Sequence, residues 1–303
     1  MNKNKEKSKY FLEEVTDKMV MDGQTGRNKC TGYISVSDVK TMVTTPFDSE
    51  NVASGLVERY YNDSSSRYYQ QTKEQILASW DKKAKQSLYY GQLLDKCAEK
   101  LLENDVNSEE DFEMFLLDNN YDDDSQLQSM VGAMQDFLNL VETKHGSDYE
   151  FIGREIPVAY EIGDNSGKYV KGRIDALFYN KKTNKYIIID WKSDDRLEEI
   201  PNKWTVKCLG PAADYYQLNY YTYTMQLYSY KLALLQSWLT DKTEDDIQVF
   251  ICNCPKVQLT GEQRKFKLFQ PAFDLNKEQM DKIYDFAFKK KSLLWKKQCS
   301  EAK

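Results

Sequence analysis

The chain has 303 residues, with 42 Lys+Arg against 48 Asp+Glu, a net charge of −6 and a mean hydropathy of −0.73. That is one large or two modest domains with room for a real core and a very polar surface. A single histidine, His145, excludes a multi-histidine zinc site and leaves any Ser-His-Asp triad dependent on that one residue. Chemistry here must run mainly on carboxylates, lysines, tyrosines or cysteines.

The first 22 residues are charged throughout, without the apolar run of a signal peptide. No stretch approaches eighteen consecutive apolar residues, so no membrane span is expected and the cytoplasm is the expected compartment. The six cysteines are scattered without a CxxC pair, which reads as reduced core thiols and argues against a zinc or iron–sulfur site.

In chain order, residues 1–148 read as mostly helical. Thr72-Lys-Glu-Gln75 has capping-box spacing and opens an amphipathic run through Ile76, Leu77 and Trp80. Leu93, Leu94, Cys97, Leu101 and Leu102 continue at helical spacing. Ser108 is placed to cap a third helix with an acidic first turn, and Met130 to Leu140 supplies a fourth.

The pattern changes near residue 149. Phe151–Ile162, Tyr169–Phe178 and Tyr186–Trp191 are strand-like and separated by turn signals. Ile187-Ile-Ile189 is continuously apolar and β-branched, as in a central strand covered on both faces. A Tyr- and Leu-rich helix is predicted from about 214 to 238, then a strand at 247–252 and a last helix from about 276 to 297. The expectation is one α/β core over 149–303, with the helical part packed on it.

The chemistry concentrates in Gly172-Arg-Ile-Asp175 and Asp190-Trp-Lys192. The Asp/Glu-x-Lys triplet recurs at Asp38, Asp81, Glu142, Asp190 and Glu301, so four of five are noise for a single site. Only Asp190 ends an apolar strand. On a strand, positions 190 and 192 share a face, and a hairpin through 181–185 can bring Asp175 beside Asp190. Two carboxylates and the main-chain carbonyl of Trp191 make a hard-oxygen site suited to Mg²⁺ or Mn²⁺. Lys192 beside them can orient or activate water and steady charge developing on a phosphate. The plainer reading is an exposed hairpin with surface salt bridges, and buried-strand flanks beside three charges count against it.

Asp175 followed fifteen positions later by Asp190-x-Lys192 resembles the PD-(D/E)XK nuclease superfamily, and within it the RecB-like and lambda-exonuclease-like branch. The family's leading proline is absent, with Ile174 in its place. The resemblance implies a restriction-endonuclease-like fold, a central mixed β-sheet flanked by helices, with a helical N-terminal extension. Residues 149–303 would be the nuclease core with a basic C-terminal helix, and 1–148 the extension contributing Asp95.

Residue by residue, Glu155 in Arg-Glu-Ile-Pro-Val resembles the core-strand glutamate. Gln226-Leu-Tyr-Ser-Tyr230 resembles the Gln-x-x-x-Tyr signature that contacts nucleic acid, and Gln217-Leu-Asn-Tyr-Tyr221 is a competing match. Tyr90-Gly91 to Asp95 resembles the Gly-x-x-x-His segment, with Asp95 where relatives place a metal-binding histidine. The family's iron–sulfur cysteines have no counterpart.

The function implied is Mg²⁺-dependent hydrolysis of phosphodiester bonds in DNA, at double-stranded ends or in single strands, by an exonuclease of phage or viral type in the host cytoplasm. A homo-oligomer or a recombination partner protein is compatible with it. A structure-specific or restriction-type endonuclease and a non-cutting DNA-binding relative are the alternatives. Arg173, Lys168, Lys171, the 181–185 hairpin and the lysines at 289–291 and 296–297 are candidate basic surface for DNA.

Overall fold

The computed structural model describes residues 32–102, 109–141, 148–163, 166–194, 197, 200–203, 205–256 and 266–301. His145, Cys30 and the proposed cap Ser108 lie outside them. Within them the chain forms a six-stranded mixed sheet with helices on both faces.

Strand β1 (Tyr33–Ser35) runs straight into helix α1 (Val36–Met42), which starts on a capping box between Ser35 and Asp38. Helices α2 (Ser49–Tyr60) and α3 (Lys73–Leu102) follow. The Thr72 capping box is present, with Thr72 N donating to Gln75 Oε1 (2.8 Å) and Gln75 N to Thr72 Oγ1 (3.3 Å). It opens one continuous 30-residue helix, so the two predicted amphipathic segments are a single element. Helix α4 (Glu109–Asp118) leads to α5 (Ser125–Asn139), whose cap Asp124 accepts from Gln126 N and Leu127 N and also from the Tyr90 hydroxyl (2.7 Å). Burial and that carboxylate push the Tyr90 phenol up to about 12.

The sheet continues with β2 (Tyr149–Glu161), β3 (Tyr169–Asn180) and β4 (Lys185–Lys192). Helix α6 (Asn219–Ser237), β5 (Ile247–Asn253), β6 (Lys267–Phe269) and helix α7 (Lys277–Glu301) complete it. The start of the helix predicted from about 214 shifts: residues 210–216 are occupied by a 3₁₀ turn and a Lys207–Tyr216 bridge, so α6 begins at 219. The N-terminal region is also not wholly helical, since β1 joins the sheet.

The pairing explains where the site forms. β2 runs antiparallel along the whole of β3. On its other edge β3 pairs parallel with β1 at 169–171, then antiparallel with β4 at 176–180. Residues 172–175 fall in the gap between those two partners. β4 runs on past β3, paired in parallel to β5 through Lys192. The hairpin expectation holds in register, because Ala176 pairs with Ile189 and the next positions along are Asp175 and Asp190.

Strand alternation sorts the core into two layers. Ile187, Ile189 and Trp191 pack with Leu93, Leu94 and Cys97 of α3 and Met130, Met134 and Phe137 of α5. Ile188 faces the opposite side with Val36 and Val39 of α1 and residues of α6 and α7. Asp190, in phase with Ile188, therefore points toward α1 and α6.

Candidate active site

Asp175, Asp190 and Lys192 meet at the sheet end. Asp190 is completely buried (0% exposed) and Asp175 is half-buried. Trp191 N donates to Asp175 Oδ2 (2.9 Å), which ties the end of β3 to β4 just beyond their last ladder pair. The Lys192 ammonium forms an ion pair with Asp190 and donates to the Trp191 carbonyl (3.1 Å). Burial, and then the Asp190 charge, push the Asp175 carboxyl up to about 8. Burial alone would lower the Lys192 pKa, but Asp190 and Asp175 outweigh it and hold the ammonium above its ordinary value.

Helix α6 supplies the next contacts. Gln226 Nε2 donates to Asp190 Oδ1 and to the Tyr230 hydroxyl, both at 2.9 Å. Tyr223, Gln226 and Tyr230, three and then four residues apart, lie on one stripe of the helix. Tyr230 is only 6% exposed, so its direct partner is Gln226 and it stands behind that side chain instead of at a strand-contacting surface. Gly172 makes room for it: a Cβ there would come within 2.7 Å of Tyr230 Cε1 and 2.9 Å of Val36 Cγ2. The competing pair is elsewhere. Gln217 precedes α6 and bonds to Thr45 Oγ1 and the Lys207 carbonyl, while Tyr221 packs on Tyr216 and Phe273.

Asp175, Lys192 and Gln226 line a cavity of about 570 Å³ together with Asp95, Glu155, Asp194 and Tyr223. Asp95 reaches it from α3, where Arg154 faces both Asp95 (3.9 Å) and Glu99 (2.9 Å). Glu155 stands opposite Asp175 across the β2–β3 ladder and pairs with Arg173 (3.3 Å). Its backbone is left-handed (φ 47°), a conformation costly for a side chain of this size and common at functional sites. Asn253, 4% exposed, locks the chain past Lys192 by accepting from Asp194 N (3.1 Å) and donating to the Asp194 carbonyl (3.0 Å).

Several side chains here were not anticipated. Lys40 and Ser37 of α1, Tyr223, Asp194 and Asn253 all contribute, and in the sequence only the Asp38-x-Lys40 triplet, set aside there as noise, touched any of them. Burial, and then Lys192, lower the Lys40 pKa, while burial and the Asp194 carboxylate raise that of the Tyr223 phenol.

Part of the expected basic surface lies elsewhere. The 181–185 hairpin caps the far end of β3 and β4, about 17 Å from Asp175 and Asp190 at strand rise. In α7, Lys289 pairs with Asp285, Lys290 donates to the Met42 and Thr44 carbonyls, and Lys291 pairs with Asp38 (2.7 Å). Lys168 and Lys171 lie over Phe288 and Tyr33. Arg173, 71% exposed, is the one member of this set within two positions of Asp175.

The donor set suits a hard divalent cation. It combines two adjoining carboxylates, one disfavoured as an anion by the other, with a main-chain carbonyl, and Lys192 already places a positive charge against Asp190 and that carbonyl. Among the described residues no three His, Cys, Asp or Glu side chains are gathered tightly enough to hold a metal by themselves, so Asp95 and Glu155 line the cavity without closing on the pair.

The model of the PD-(D/E)XK nuclease superfamily matches residues 58–299, and the chain belongs to that family. The mixed sheet, the Asp175–Asp190–Lys192 cluster and that match define a nuclease. Among solved structures, the chain is similar to a "Putative exonuclease" from Eubacterium rectale at 15% identity, covering 85% of this chain and 78% of that one with a TM-score of 0.40. Such a likeness is too distant to carry residue correspondences. Among curated proteins, none matches the chain. No helix among the described residues is long and apolar enough to cross a membrane.

Proposed function

We propose that the protein is a divalent-metal-dependent DNA exonuclease of the RecB-like and lambda-exonuclease-like branch, of phage type and acting in the host cytoplasm. The observation that carries the reading is the convergence of Asp175, Asp190 and Lys192 at one sheet end, with Asp175 and Lys192 lining the cavity and Gln226 bonded to the buried Asp190. Asp175, Asp190 and the Trp191 carbonyl would hold Mg²⁺ or Mn²⁺, with Asp95 or Glu155 from the same cavity completing the set. When bound, the ion supplies Lewis-acid stabilisation of phosphate charge and lowers the pKa of water. Lys192 places a cation where negative charge develops on the scissile phosphate and can orient the attacking water. Gln226 fixes the orientation of Asp190, and Tyr230 fixes Gln226. The choice of exonuclease rests on the Gln226-Leu-Tyr-Ser-Tyr230 signature. In this division of labour residues 149–303 carry the chemistry, and residues before 149 wall the cavity from α1, through Ser37 and Lys40, and from α3, Asp95 among them.

Digestion of end-labelled linear and covalently closed DNA with Mg²⁺, Mn²⁺ or EDTA tests the proposal. It predicts progressive loss of linear DNA with either metal, none in EDTA, and survival of closed circles. Cutting of closed circles would make the enzyme an endonuclease, and cutting in EDTA would overturn metal dependence.

A further inference from the structure

Helix α1 carries none of the motifs that define the site, yet it projects a cation into the cavity. Its two ends are fastened. Ser35 and Asp38 form the capping box, Lys291 of α7 pairs with Asp38 (2.7 Å), and Lys290 donates to the Met42 carbonyl (2.7 Å) at the other end. With the helix so held, Lys40 lines the cavity, and so does Ser37 one turn earlier on the same face.

The Lys40 ammonium lies 4.8 Å from the centre of the Tyr223 ring, and the Lys192 ammonium lies at the same distance from that ring. The two lysines differ in their partners. Lys192 is bonded to Asp190 and the Trp191 carbonyl, at the reacting centre. Lys40 is half-buried and has no carboxylate within ion-pair distance among the described residues, only the aromatic ring beside it and the more distant charges of Lys192, Asp190 and Asp194. An ammonium in a walled cavity without an ion-pair partner is suited to an anion from outside, and lysine binds phosphate as a point charge without demanding a fixed fork geometry.

We propose that Lys40 holds a phosphate of the substrate strand next to the one that is cut, which makes it a strand-positioning residue. This rests on the nuclease reading above. Lys40 acts on binding and register, while Lys192 acts on the bond that breaks.

Salt dependence of binding provides the test, because a residue that merely packs on Tyr223 does not release a counterion. Fluorescence anisotropy of a labelled single-stranded and a labelled duplex oligonucleotide, in EDTA and over a range of NaCl, is measured for the native protein, Lys40→Met and Lys40→Arg. Melting temperatures are measured alongside. For Lys40→Met the expected result is about tenfold weaker binding, with the slope of log K against log salt reduced by ~0.7–0.9. Lys40→Arg retains the native slope. With Mg²⁺, Lys40→Met raises KM about tenfold and leaves kcat within about twofold. An unchanged slope in Lys40→Met overturns the proposal, as does a loss confined to kcat. The binding slope is read without cutting, so a native protein that cuts DNA alongside an unchanged variant slope removes only Lys40. A native protein that neither binds nor cuts removes the nuclease reading and this inference together.

Discussion

Asp38-Val-Lys40 and Asp190-Trp-Lys192 have the same spacing and opposite outcomes. On β4, residues two apart project to one face, so Asp190 and Lys192 converge and their charges couple in a buried place. On α1, residues two apart are turned by about 200°. Asp38 therefore faces α7 and pairs with Lys291, while Lys40 faces the cavity. The burial differs too: Asp190 is fully enclosed, and Asp38 is partly open to solvent with its pKa lowered because the Lys291 and Ser35 bonds outweigh its burial. A short charge motif thus acquires its setting from the element that carries it, and the same Asp-x-Lys spacing gives a buried, coupled cluster on a strand and, on a helix, a structural tie on one side and a cavity-lining cation on the other.

The contrast can be broken most sharply by removing one acid from each triplet. Asp190→Asn is expected to lower the rate of DNA cleavage by ~10³-fold or more, because it removes the partner of Lys192 and, on the proposed reading, a carboxylate that holds the ion. Single-turnover digestion of end-labelled DNA reads this directly. Gln226→Ala leaves Asp190 in place but unoriented, and cleavage is expected to fall ~10–100-fold. Rescue by a higher Mg²⁺ concentration would show that the loss lies in holding the ion.

The third prediction concerns pH. A carboxyl raised from 3.8 to about 8 by folding favours its protonated form in the native state. Its contribution to stability is therefore complete below the unfolded pKa and is lost as pH rises through about 8. In EDTA the melting temperature should fall between pH 5 and 9, and Mg²⁺ should restore it most at the alkaline end. Since the ion competes with the Asp175 proton, its affinity should fall by about tenfold per pH unit below 8, as metal titrations across that range will show. The smallest effect is expected for Asp38→Asn. It should cost about 1 kcal/mol of stability through the weakened capping box, seen as a lower denaturation midpoint, with kcat unchanged.

Much of the site could be read in advance because the informative strands are long and local. The β-branched run Ile187–Ile189 and the turn at 181–184 point to an antiparallel hairpin able to bring Asp175 beside Asp190, and the register of β3 and β4 does so. The α1 side of the cavity could not be read that way. β1 has three residues and α1 seven, too few for either alternation or helical periodicity to stand out. The segment and strand that follow it favour Gln226 over Gln217, and the fold sets the two in different surroundings, Gln226 bonded to Asp190 and Gln217 to Thr45 and Lys207. Basic runs are similarly opaque. Lys290 and Lys291 have the composition of a DNA-binding surface, but their partners Met42 and Asp38 lie some 250 positions earlier in the chain.

The central claim is that Asp175 and Asp190 together form a seat for a divalent cation. Calorimetric titration of Mn²⁺ into the native protein, Asp190→Asn and Asp38→Asn, at pH 8 and without DNA, tests it most directly. The account predicts saturable binding in the native protein and in Asp38→Asn, and its loss in Asp190→Asn. Equal binding by all three proteins would contradict it.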